Sequence, residues 1–126
     1  MKYTESIDNC LRFKNVGNFQ GRASRSEFWW FYLFIILVDI LAEVIFYIVV
    51  ESLFFSIIIV ILLLYAAFAQ LSVAVRRLHD VGKSGWWILL GFTIIGIIPL
   101  IIWYATESDK GENEYGPPPE SAPIPT

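Results

Sequence analysis

Cysteine and histidine are almost absent from this chain. Its 126 residues include one cysteine, Cys10, and one histidine, His79. A single cysteine excludes an intramolecular disulfide, and one residue of each type is too few for an ordinary His/Cys zinc site. Charged residues are also scarce, at 17% against 56% hydrophobic residues, whereas soluble domains carry about a quarter charged residues. The composition therefore indicates a protein that lies in lipid.

The sequence also has no convincing catalytic or cofactor pattern. A net charge of -3 argues against a nucleic-acid partner. Gly82-Lys83-Ser84 resembles the end of a phosphate-binding loop, but Arg77 stands where that pattern needs its first glycine. Adjacent His79 and Asp80 rarely converge on one serine. We expect no enzyme activity and no cofactor.

Long apolar runs dominate what is present. They cover residues 28–50, 53–75 and 86–105, and about 20 residues of helix cross a hydrocarbon core of roughly 30 Å. A segment in lipid must satisfy its backbone hydrogen bonds internally, so these runs are predicted as helices. The fold class expected is an all-α integral membrane protein with three transmembrane helices.

The distribution of Lys and Arg predicts the orientation. Eight of the nine lie before the first run or between the second and third, and only Lys110 follows the third. The positive-inside rule then places the N-terminus in the cytoplasm and, with three spans, the C-terminus outside. Should the C-terminus lie inside instead, the third run is the one expected to be re-entrant, because it contains Gly91, Gly96 and Pro99.

The two ends differ from the apolar middle. Residues 4–14 have a helical apolar face and are predicted as a short interfacial helix, with a frayed terminus as the alternative. Ser24 and Glu27 have the spacing of a capping box before the first run, and Ser84 is a candidate cap for the third. Residues 106–126 are acidic and rich in proline, which predicts a flexible tail attached to a single membrane domain over residues 1–118.

The stretch RRLHDVGKSGWW, residues 76–87, connects the second and third runs. Arg76, Arg77 and Lys83 can extend toward lipid headgroups while Trp86 and Trp87 set the depth of the helix ends. This pattern favours anchoring to a bilayer with anionic headgroups over catalysis.

Three motifs resemble one known family. FQGRASRSEFWWF, RRLHDVGKSGWW and KGENEYGPPP occur in this order around the apolar runs. The arrangement is similar to that of the YhaH/YhaI-like proteins, the domain-of-unknown-function 805 family, over roughly residues 11 to 118. The resemblance implies a multi-pass protein of the bacterial inner membrane, and it implies no activity.

Seven polar residues form a candidate cluster at the inner membrane surface. They fall at the predicted start of the first span or the end of the second, so that an acidic residue can pair with an arginine. The residues are Arg22, Arg25, Glu27, Arg76, Arg77, His79 and Asp80. Such a cluster can be structural, or it can bind a headgroup or a partner protein.

Two acids inside the first run form a second candidate site. Asp39 and Glu43 are four residues apart and share one helix face near the bilayer midplane. The simpler interpretation is that they bond to Gln70, Ser72 or Thr93, or face a partner.

Three functions therefore remain open. The leading hypothesis is a structural or interaction subunit that binds another membrane protein or itself. The alternative is a small proton- or solute-coupled transporter, or a transporter subunit, that uses Asp39 and Glu43. A membrane enzyme acting on lipid headgroups at His79 and Asp80 ranks last.

Overall fold

The computed structural model describes residues 3–12 and 14–119. All regular structure in this part of the chain is helical, apart from one isolated backbone pairing of Asn113 with Gly116. The expected all-α fold is confirmed. The elements in chain order are α1 (Tyr3–Leu11), α2 (Arg25–Val49), α3 (Leu53–Asp80), a 3₁₀ helix (Gly85–Phe92) and α4 (Ile94–Ala105).

Helices α2 and α3 are long and apolar enough to cross a membrane. Their 25 and 28 residues correspond to lengths of about 37 and 42 Å, which exceed a hydrocarbon core of roughly 30 Å. They form an antiparallel pair joined by a tight turn at residues 50–52, in which the Ser52 amide donates to the Val49 carbonyl at 2.8 Å. The start of α2 therefore lies beside the end of α3.

The packed core is concentrated at that end of the pair. Phe28 and Phe31 of α2 are buried against a face of α3 that carries Ala69 and Val73. Small residues allow two helices to approach closely, and this contact is what holds helices together in lipid. After Ile35 almost every side chain of α2 is partly or fully exposed, so the outer half of the pair presents its apolar surface to its surroundings.

Residues 86–105 do not form the single helix expected from the sequence. The run is divided at Thr93, whose backbone is extended and whose hydroxyl accepts a hydrogen bond from the Gly96 amide at 3.0 Å. Gly96 suits this turn because a Cβ there would lie 2.3 Å from the Leu90 carbonyl oxygen. The expectation was wrong because twenty apolar residues satisfy a length criterion whether or not they turn back halfway.

The two halves of this run lie side by side as a helical hairpin. The rings of Trp87 and Trp103 are 5.7 Å apart, and a Cβ on Gly91 would contact Leu100 at 3.5 Å. Each half is about 16 to 18 Å long, roughly half of a bilayer. Phe92, at the tip, is 88% exposed. The hairpin is thus too short to cross a hydrocarbon core.

The segment after α4 returns to the start of α2. The Trp29 indole donates to the Tyr104 carbonyl at 3.2 Å, and Arg25 donates to the Ala105 carbonyl at 3.2 Å. With three spans, residues 106–118 would lie at the opposite end of the molecule, whereas here Arg22 donates to the Asp109 carbonyl at 2.7 Å. Residues 106–119 are not a free tail either, since several of them bond to the body of the protein. The rest of the predicted tail, residues 120–126, lies outside the described residues.

Helix α1 packs against α2 and α3. Its buried residues are Ser6 and Cys10, and the Tyr65 hydroxyl of α3 donates to the Leu11 carbonyl at 2.6 Å. The helix predicted for residues 4–14 is therefore present over Tyr3–Leu11. It covers the ends of the long helices rather than standing apart from them.

Candidate functional site: a buried polar cluster at the helix ends

Asp80, the last residue of α3, is the centre of a buried ion-pair network. Its carboxylate accepts from Arg22 Nε at 2.9 Å and, through its other oxygen, from Arg77 and from the Ser108 hydroxyl. All three charged side chains are 0% exposed. A charge in such an environment costs several kcal/mol unless it is paired and hydrogen-bonded, and here both carboxylate oxygens are bonded.

The two arginines also hold distant parts of the backbone. Arg22 donates to the carbonyl oxygens of Asp109 and Gly111, each at 2.7 Å. Arg77 donates to the carbonyl oxygen of Tyr104 at 3.1 Å. A guanidinium group carries five N–H donors in a rigid plane, so it can join one carboxylate to several carbonyls. The network therefore ties together the loop before α2, the end of α3 and the segment after α4.

A second buried pair lies under α1. Arg76 Nη1 donates to Glu27 Oε1 at 3.1 Å, and Asn9 Nδ2 donates to the same oxygen at 2.6 Å. Glu27 also acts as predicted at the start of α2, where its amide donates to the Ser24 hydroxyl at 3.2 Å. Its carboxylate, however, faces Arg76 and α1 rather than folding back to complete a capping box.

The remaining predicted residues lie at the edge of this cluster. Arg25 is exposed, and its side chain is 4.0 Å from Glu107. The His79 ring donates through Nδ1 to the Gly21 carbonyl at 3.0 Å and stacks on Tyr115 with ring centroids 4.0 Å apart. The seven residues thus lie at one end of the molecule, but as two separate buried groups with His79 and Arg25 beside them: Asp80 with its two arginines, and Glu27 with Arg76.

Cys10 lies against the Glu27–Arg76 pair, with its sulfur 3.7 Å from Glu27 Oε1. Burial raises the pKa of the Cys10 thiol, and the negative charge of Glu27 raises it further. A protonated thiol is a poor nucleophile and a poor metal ligand. Within residues 3–12 and 14–119, no group of three or more His, Cys, Asp or Glu side chains could hold a metal ion.

Asp39 and Glu43 lie far from this cluster, on the exposed surface of α2. The expected bonds to Ser72 and Thr93 are absent, because the Ser72 hydroxyl accepts from the Gly17 amide and Thr93 caps α4. Across the described residues, the buried carbonyl oxygen of the Gln70 side chain has no hydrogen-bond partner. In the part of the chain that the structure describes, neither acid therefore bonds to the residues expected, and both lie at exposed positions of α2.

Several residues of the cluster were not anticipated. Asn9 and Cys10 come from α1, and Ser108 and Asp109 come from the segment expected to be flexible. One signal was available, because KGENEYGPPP, one of the three motifs that carry the family resemblance, lies in this segment. In the structure Asn113 donates to the His79 carbonyl at 2.9 Å.

The fold and the cluster define a small helical membrane protein in which two membrane-length helices and a hairpin are tied together by buried ion pairs. The family model described as "Protein of unknown function (DUF805)" matches residues 16–117. The chain therefore belongs to the DUF805 family, as the three motifs predicted, and it is a bacterial inner-membrane protein.

Two similar proteins come from Escherichia coli K12. Inner membrane protein YhaI is 38% identical over 108 residues, which cover 85% of this chain and 90% of the relative. Inner membrane protein YhaH is 43% identical over 54 residues, which cover 41% of this chain and 44% of the relative. No solved structure gives a significant match.

Replacing Asp80 by asparagine tests the importance of the central network. Arg22 and Arg77 would then be buried without their anion, so we expect a loss of about 3–5 kcal/mol in the free energy of unfolding. The measurement is thermal or chemical unfolding of the purified protein in detergent. Asp8→Asn is the matched control, because it breaks the exposed Asp8–Arg12 pair and should cost no more than about 1 kcal/mol. Equal effects of the two changes would contradict the network.

The reactivity of Cys10 tests the docking of α1. Because the thiolate is the reactive form and burial keeps this thiol protonated, N-ethylmaleimide at pH 8 should modify Cys10 at least about tenfold more slowly in the folded protein than in dodecyl sulfate. The control is Cys10→Ser combined with Thr4→Cys, which places the thiol at an exposed position of the same helix. If both thiols react at one rate, α1 is not docked in solution.

Proposed function

We propose that this protein is a non-enzymatic interaction subunit of the inner membrane, and that the exposed half of α2 binds another membrane protein. The observation that carries the proposal is the position of Asp39 and Glu43. Both are exposed on a helix able to span the membrane, and no residue of the described chain bonds to their carboxyl groups.

The free-energy cost of placing Asp39 and Glu43 in the membrane supports a partner protein that contacts them. An acid at the centre of a membrane helix costs about 2.5–3.5 kcal/mol on the insertion scale. Asp39 is 14 residues from the start of α2, or about 21 Å along the helix axis, and is therefore near the middle of the bilayer. A partner helix with a hydrogen-bond donor or a cation at that depth would remove this cost.

The buried cluster supports a structural role rather than catalysis. Its carboxylates are engaged by arginines of the same chain, and its central side chains are 0% exposed. A general acid or base must reach a substrate directly or through one water, and a fully enclosed carboxylate meets neither condition. The cluster acts instead as a polar connection between helix ends.

The alternative function is a proton- or solute-coupled transporter or transporter subunit. The same two acids motivate it, since carboxyl groups inside a membrane are common proton carriers. They do not face the interior of this chain, so a pathway would have to run between α2 and a neighbouring protein. Transport would then be a property of the assembly.

The hairpin determines the topology we propose, with two spans and both chain ends in the cytoplasm. If residues 86–105 enter and leave the same face, all nine Lys and Arg lie on that face. The turn at residues 50–52, on the other face, contains Glu51 and no cation. This distribution fits the positive-inside rule better than three spans do.

Reporter fusions test this topology. A fluorescent protein fused after Thr126 should fluoresce, and alkaline phosphatase fused there should be inactive, because the segment after α4 lies with the cations. Alkaline phosphatase inserted between Glu51 and Ser52 should be active and serves as the control for the opposite face. An active phosphatase at the C-terminus would restore the three-span arrangement.

The double change Asp39→Leu and Glu43→Leu tests whether the two acids bind a partner protein. After gentle detergent extraction, blue native electrophoresis should show the wild-type chain in a larger complex and the variant as the free chain, because the polar contact with the partner is lost. The free variant should be at least as stable as wild type, since two acids have left the lipid-facing surface. Ile36→Leu with Ile40→Leu, on the same exposed region, is the matched control.

A complex of unchanged size in the double variant would contradict the interaction proposal. The double change Asp39→Asn and Glu43→Gln distinguishes a transporter from an interaction subunit, because it preserves side-chain shape and hydrogen bonding but removes the titratable groups. These changes should leave the complex intact if the acids only bind a partner. They should abolish pH-dependent flux in reconstituted vesicles if the acids carry protons.

A further inference from the structure

A groove runs between α3 and the 3₁₀ helix, on the side of the molecule that the proposed partner site does not use. Its volume is about 850 Å³, within the range of roughly 300–1,000 Å³ typical of sites for small molecules. One wall comes from Leu71, Val75 and His79 of α3. The other comes mainly from Trp86, Leu89 and Phe92 of the 3₁₀ helix.

The groove depends on how the hairpin meets α3. At Gly85 the 3₁₀ helix begins in close contact with α3, because a Cβ there would lie 2.6 Å from Val75 Cγ1. Toward the tip, Phe92 is 88% exposed although it still lines the groove. The space between the two elements is therefore closed at one end and open along the hairpin.

The closed end of the groove is polar. The Gly21 carbonyl can only accept a hydrogen bond, so the proton of the neutral His79 ring lies on Nδ1. Nε2 is then an acceptor, and it lies 3.5 Å from the position of a Cβ on Gly85. His79 is 8% exposed, and no described residue bonds to Nε2. The Ser84 hydroxyl lines the same end.

The polar and apolar ends match the depth profile of a lipid. His79 lies next to Asp80 and the buried ion pairs, at the end of the helices where the charged residues gather. Leu71 is eight residues away along α3, about 12 Å deeper in the apolar part of the helix. An amphiphile in the groove would have its headgroup beside His79 and its chain beside Leu71 and Phe92.

We propose that this groove binds one chain of a glycerophospholipid whose headgroup carries a free hydroxyl, phosphatidylglycerol, with that hydroxyl donating to His79 Nε2. The hydroxyl supplies the donor that the free ring nitrogen lacks. This binding site is independent of the partner surface on α2.

Native mass spectrometry of the full chain in detergent tests the headgroup. Wild-type protein should retain one dioleoyl phosphatidylglycerol about tenfold more tightly than dioleoyl phosphatidylcholine, which has the same chains and no hydroxyl; this ratio corresponds to about 1.4 kcal/mol. His79→Phe, which keeps an aromatic ring against Tyr115, should bind the two lipids equally. Equal retention by wild type would overturn the proposal.

Leu71→Trp tests the position of the chain, because the larger side chain fills the groove. It should weaken retention of phosphatidylglycerol about tenfold or more, a loss of at least about 1.4 kcal/mol. Leu62→Trp, at a position on the same helix that is 63% exposed and outside the groove, should bind as wild type does. Unchanged binding by Leu71→Trp would place the lipid elsewhere.

Photolabelling of the wild-type protein provides a test that no folding defect can affect. Phosphatidylglycerol with a diazirine in its acyl chain should label residues 71–92 preferentially over the exposed surface of α2 at residues 36–48. Uniform labelling of both regions would show ordinary lipid contact without a site, and labelling confined to α2 would likewise overturn the proposal.

Discussion

The carboxylate of Asp80, enclosed by Arg22 and Arg77, is the constraint on which the rest of the arrangement depends. Arg22 precedes Asp80 by 58 residues in the sequence. Ser108, whose hydroxyl bonds to the same carboxylate, follows Asp80 by 28 residues. Removing any one partner would leave a buried charge incompletely paired, which is strongly unfavourable. The loop before α2, the end of α3 and the segment after α4 must therefore assemble together at one end of the molecule.

This assembly separates the molecule into two regions with different tasks. At the cluster end, the alanine face of α3, the aromatic residues of α2 and the helix α1 form a packed core around the charges. At the other end, the two long helices carry exposed apolar side chains and two acids to which no described residue bonds. Stability is concentrated where the chain bonds to itself, and the surface that we propose binds another protein lies where it does not.

Hydropathy predicted α2 to within three residues and the start of α3 directly, because apolar length is a property of the segment alone. It missed the last turn of α3, where Arg76, Arg77 and Asp80 are buried by other parts of the chain. It also predicted one helix over residues 86–105, since apolar length does not distinguish a span from a hairpin. The contacts of α1 with Glu27 could not be predicted, because they depend on how a short helix docks in three dimensions.

The polar cluster also explains why the hairpin returns. Lipid is as apolar as the side chains of residues 86–105, so burial in the membrane favours a hairpin and a span about equally. The choice must come from polar groups at the ends of the run. The run begins six residues after Asp80 in the chain, where Ser84 accepts a hydrogen bond from the Trp86 amide, and Arg77 donates to the Tyr104 carbonyl near its end. In the two-span topology proposed above, a run that starts close to Asp80 in the chain and whose end is bonded to Arg77 returns to the face on which it began. An apolar replacement of the arginine–aspartate network would remove this discrimination even where it left the stability unchanged.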